Sequence, residues 1–138
     1  MSKRDFQKAV EAILNDDKRY AVGAYVFVRM ALDYTVKNID KIRAESGGAK
    51  RAGSHVSAAE LLEGIRIFGL ETFGQMMSVL LETWGVKKCS DFGEIVFNLI
   101  KVGELSKTDD DKIEDFTEAY DFREAFVCPY LPKNKGVL

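Results

Sequence analysis

The chain is poor in the residues that most often carry chemistry: its 138 residues include one histidine, two cysteines, two prolines and one tryptophan. No Cys or His spacing resembles a zinc site. Cys89 and Cys128 could bridge, but the chain lacks the cysteine density of a secreted scaffold, so free thiols in a reducing cytoplasm are expected. The two prolines, Pro129 and Pro132, lie near the end, and no stretch is proline-rich, repetitive or of low complexity. Long hydrophobic runs are missing too. The most apolar stretch, 20–36, is shorter than the roughly 20 residues of a bilayer span and contains Arg29 and Asp33. The first twenty residues carry charges every few positions, so neither a signal sequence nor a membrane segment is expected.

What is present suits one core. The length is close to the roughly 150 residues of a typical domain, and 46% of the residues are apolar. The net charge of −2 is unevenly placed: residues 1–56 hold eleven Lys or Arg against seven Asp or Glu, and residues 57–138 hold nine against fifteen. An asymmetry this modest reads as solvated surface.

Apolar spacing predicts mainly helix. Phe6, Ala9, Val10, Ile13 and Leu14 form one apolar face within Asp5–Asn15. From Tyr20 onward two neighbouring stripes are apolar, so wide an arc that a buried central helix is expected, with the N-terminal helices spanning 5–43. A Gly-rich basic loop, 44–56, follows. Ser57 and Glu60 spell a capping box opening a helix through Leu61, Leu62, Ile65, Phe68 and Phe73. Gly64 and Gly69 suggest close helix packing, Gly74 a break, and Gly85 a left-handed stop after Met76, Met77, Leu80, Leu81 and Trp84. A third helix is read from an Asp91 cap to a stop at Gly103.

Beyond Gly103 two readings stay open. Residues 104–120 alternate as a β-hairpin would, while Ile113, Phe116 and Tyr120 also fit a helix; the hairpin is slightly favoured. Asp121 with Glu124 caps a last short helix ending before Pro129, and 129–138 form a tail. The fold class is therefore mainly α: one helical domain with a short C-terminal hairpin, winged-helix-like, against an all-α bundle as alternative. In the winged-helix reading 91–102 is the recognition helix. Its surface residues Asp91, Glu94, Asn98 and Lys101 offer little positive charge for phosphates, which disfavours nucleic acid as partner.

The segments HVSAAELLEGIR, DFGEIVFNLI and KTDDDKIEDFTEAYDFREAF, with DKRYAVGAYVFVRMAL near the start, resemble a family of short uncharacterised bacterial proteins over almost the whole chain. One departure is Ala58 and Ala59, where Gly and Gln are expected. The resemblance implies a single bacterial cytoplasmic domain and brings no activity, cofactor or substrate.

His55 stands just before the Ser57 cap, where packing is the commoner role, and it has no visible nucleophile beside it. Gly48 and Gly53 mimic a phosphate loop, but Ser54 stands where Lys is needed. Lys50 and Arg51 nonetheless suit an acidic partner or a phosphate. Arg29 and Asp33, four apart, are expected to pair, and lined up with Tyr25 and Arg66 they could hold a small anion. The run DDDKIEDFTE lacks EF-hand spacing and reads as a solvated acidic turn. No metal or cofactor is expected. The functional expectation is a non-catalytic protein-interaction or regulatory module, with homodimerisation through apolar helix faces as one form of it. A winged-helix nucleic-acid regulator is the alternative and a small-anion binder a weaker one.

Overall fold

A computed structural model describes residues 3–46, 56–105, 116 and 120–131, and among them it builds six α-helices and no strand. Helix α1, Lys3–Asp16, buries Val10 and Ile13 of its apolar face. A charged link leads into α2, Val22–Lys37, which buries Ala24, Tyr25, Phe27, Val28, Ala31 and Thr35. The sequence suggests one continuous helical stretch to residue 42, but the chain bends at Asn38. Its side-chain amide donates to the Tyr34 carbonyl at 2.9 Å, the kind of local hydrogen bond that competes with helix continuation. Helix α3, Ile39–Ser46, then turns towards α4, with Ile42 buried.

Helix α4, Ala58–Phe73, opens with the expected capping box. The Glu60 amide donates to Ser57 Oγ at 3.1 Å and the Ser57 amide to Glu60 Oε1 at 2.9 Å. Its Gly64 is where α2 comes closest: a methyl group there would lie 1.8 Å from Thr35 Oγ1. Gly69 likewise admits Met77 and Phe27. At Gly74 the backbone takes φ 55° and ψ −134°, a region essentially closed to residues with a Cβ, and the chain breaks through one 3-10 turn into α5, Met77–Trp84. Met77 and Leu81 are buried there, whereas Met76, expected on the apolar face, is exposed. Gly85 stops α5 in the left-handed conformation, φ 84°.

Helix α6, Cys89–Lys101, starts two residues before the expected cap. Asp91 occupies its third position and reaches back, accepting from the Lys87 and Lys88 amides at 2.8 and 3.2 Å. The helix closes at Gly103, φ 81°, with the Glu104 amide donating to the Leu99 carbonyl at 2.9 Å. It packs on α1 and α2 and buries Cys89, Phe92, Gly93, Ile95, Val96, Asn98 and Leu99; Lys101 is its one exposed residue. Asn98, read from sequence as surface, is thus a core residue, because the apolar faces of two other helices cover this one.

The segment assigned to the hairpin, 104–120, lies mostly outside the described residues; of it Phe116 is buried, edge-on to Phe97. After Asp121, whose carboxylate caps the Glu124 amide at 3.1 Å, the chain makes a π turn, Arg123–Val127, and a 3-10 turn, Cys128–Tyr130. Pro129 therefore sits inside a turn instead of following one, as the first turn of a helix tolerates proline. Tyr120, Phe122 and Phe126 pack their rings together, and Phe122 lies tilted against Phe92 of α6. The cysteines are unbridged, Cys89 buried and Cys128 exposed. No described helix is long and apolar enough to cross a membrane.

Candidate functional site

Of the residues singled out from sequence, Arg29 and Asp33 pair as expected, at 2.6 Å on the outward side of α2. Arg66 does not join them. Its guanidinium forks onto Glu63 of its own helix at 3.0 and 2.6 Å, and the Tyr25 hydroxyl accepts from Asn98 of α6. The supposed anion cleft is thus dispersed among three sets of partners. Lys50, Arg51 and His55 lie outside the described residues. At the start of α4 the Ser57 and Glu60 amides are occupied by the capping box, and the Glu60 carboxylate stands at that helix N-terminus.

A different polar cluster, unread in the sequence, lies where the α1–α2 link meets α6. Asp17 accepts from the Arg19 amide at 3.0 Å, from its Nη2 at 2.7 Å and from Asn98 Nδ2 at 3.1 Å. Asn98 gives its second proton to Tyr25 Oη at 3.0 Å, and Arg19 also reaches Glu94 at 3.2 Å. Tyr20 donates to Asp91 at 2.6 Å beneath the Arg19 guanidinium. A half-open cleft of about 650 Å³ runs alongside, between the end of α1, the link and the outer end of α6. One signal could have pointed to it: Asn98 is the lone amide in an apolar run, and buried amides need partners.

The electrostatics describe a clamp. Hydrogen bonds from Arg19 hold the Asp17 carboxyl well below the usual carboxylate range despite its partial burial. Asp17 in turn holds the Arg19 guanidinium in its charged form, and burial followed by the Asp91 carboxylate pushes Tyr20 up. Asp17 and Arg19 are held charged and Tyr20 is held neutral, each with its titration moved further from pH 7, the reverse of what proton transfer there needs. The cluster instead ties the link to α6 and fixes the start of α2.

The second feature is apolar. Val22, Val26, Met30 and Val36 on the outward side of α2 are 40–48% exposed, and Met76 and Val79 around the start of α5 are 51–54% exposed. Scattered exposed valines are ordinary, but three valines and a methionine on one side of one helix are a patch. Arg29 and Asp33 stand in its middle.

Compared with known protein families, with curated proteins and with solved structures, the chain matches none.

Proposed function

We propose that this chain is a non-catalytic protein-interaction module whose contact surface is the outward side of α2. The observation that carries this reading is the exposed row Val22, Val26, Met30 and Val36 on a helix whose opposite side is sealed in the core. Apolar surface gathered this way gains free energy when a partner removes it from water. The polar cluster around Asp17 supports the same reading, since its groups are engaged with each other. Kinship with the short bacterial proteins that the motifs resemble, and a cytoplasmic setting, are part of the proposal.

The alternatives have less to stand on. A winged-helix reader needs an exposed recognition helix, and α6 is enclosed by α1 and α2. Binding of a small anion at Arg29 or Arg66 would have to displace carboxylates already at 2.6 Å.

The test is site-specific photo-cross-linking in cells of the host, with the photoreactive residue at position 26 and, as control, at exposed position 11 of α1. Nuclease-resistant protein adducts from 26 and not from 11 are expected. Equal or absent adducts at the two positions overturn the reading.

A further inference from the structure

We infer that the partner for this surface is a second copy of the same chain, joined α2 against α2 in antiparallel orientation about a two-fold axis beside residue 31. The inference rests on the interaction-module reading and names its occupant. Val22, Val26, Arg29, Asp33 and Val36 follow one another at intervals of four, three, four and three, the spacing of a heptad seam, and this seam has no helix against it among the described residues. Three of its members are valines exposed by 40–48%. The inward stripe of α2 already packs along α4 and α6, so the outward seam is a second packing surface on one helix.

The charges decide the occupant and its direction. Arg29 and Asp33 lie symmetrically about residue 31, as do Val26 and Val36. An antiparallel copy therefore sets Arg29 opposite Asp33 of the other chain twice, and Val26 opposite Val36 twice. Each guanidinium then lies between two carboxylates, its own at 2.6 Å and that of the second copy, and the four charges cancel. A parallel copy would oppose Arg29 to Arg29 and Asp33 to Asp33, so the same pair that favours one arrangement opposes the other. A closed isologous contact of this kind needs no third component. A 16-residue helix is about 24 Å long, which makes the seam short and the dimer concentration-dependent.

Sedimentation equilibrium of the full chain over a concentration series tests this directly. The unmodified chain is expected to pass from monomer to dimer. Arg29→Asp opposes two carboxylates across the seam and Asp33→Arg opposes two guanidinium groups, so each variant alone should lose self-association by roughly a hundredfold. Mixed in equal amounts, the two variants place opposite charges across the seam and should form a heterodimer again. Both variants break the same intrahelical pair, so a change in folding cannot produce recovery on mixing; circular dichroism checks that each is folded. A chain that stays monomeric throughout, or a dimer indifferent to both substitutions, overturns the inference. If position 26 cross-links to other proteins while the chain remains monomeric, only the second-copy assignment fails. If it cross-links to none, the interaction reading fails with it.

Discussion

The two sides of α2 both carry apolar residues, and their fates are opposite. Inward stand small and apolar residues, Ala24, Val28, Ala31 and Thr35, and at Thr35 the helix comes so near to α4 that only glycine fits at position 64. Outward stand Val22, Val26 and Val36, with an ion pair among them, and no described element covers them. The first side has found its partner within the chain. Apolar surface left exposed around an ion pair gains free energy if another molecule covers it. Stability should therefore reside on the inward side and association on the outward one.

The largest damage is expected where α3 follows α2 inward over α4. Arg43 Nε donates to Glu60 Oε2 at 2.8 Å, with the two side chains only 10% and 7% exposed. Burial pushes the Glu60 carboxyl up, and the hydrogen bonds from Arg43 and the Ser57 amide more than reverse that, leaving it below 4.5. Arg43→Met strands a buried carboxylate, at a cost of about 3–5 kcal/mol in urea unfolding at pH 7. Because the folded-state value is depressed, the stabilisation from Glu60 is complete above pH 4.5 and drains away as pH falls through the folded-state value. In the variant burial is opposed only by the Ser57 hydrogen bonds, so the carboxyl rises relative to the unmodified chain and protonation relieves part of the cost. The gap between the two proteins should be widest at neutral pH and narrow in acid. A gap that is constant with pH would mean that Arg43 acts through packing alone.

A smaller effect is expected at the crossing itself. Gly64→Ala brings a methyl group within 1.8 Å of Thr35 Oγ1, which is held by its hydrogen bond to the Ala31 carbonyl at 2.7 Å. Overpacking of this kind costs roughly 1–3 kcal/mol, against up to about 1 kcal/mol gained in helix propensity. Adding Thr35→Ala should return part of the loss, and a four-member cycle of unfolding free energies measures that coupling. Independent, additive effects would place the closest approach of α2 and α4 elsewhere.

Much of this arrangement was legible because it is local. Ser57 with Glu60, the glycine stops at 85 and 103, the close packing at Gly64 and Gly69 and the Arg29–Asp33 pair follow from spacing along one segment. The bend at Asn38 was not, since it depends on which of two hydrogen bonds an amide prefers. Neither was the cluster of Asp17, Arg19, Glu94 and Asn98, whose members lie up to 81 positions apart and meet only once α1 and α6 are packed. The wide apolar arc of α2 and its central place were legible, since the helix packs on all five others; which part of that arc the chain leaves exposed was not, because it depends on where the other helices come to lie.

The smallest effect on folding is expected from the outward side, and it sharpens the contrast most. Val26 is 40% exposed, so Val26→Thr removes little buried apolar area and should change the unfolding free energy by no more than about 0.5 kcal/mol. A dimer complicates this comparison, because association stabilises the folded state by mass action and any variant that weakens it lowers apparent stability. The measurement therefore needs unfolding curves at several protein concentrations. At high dilution the variant and the unmodified chain should coincide, and as concentration rises the unmodified chain should pull ahead. A deficit present at every concentration and near the roughly 1.5–3 kcal/mol of a fully buried valine would instead mean that the chain covers this face itself. Both sides of α2 would then belong to one core, and no surface would remain for a second molecule.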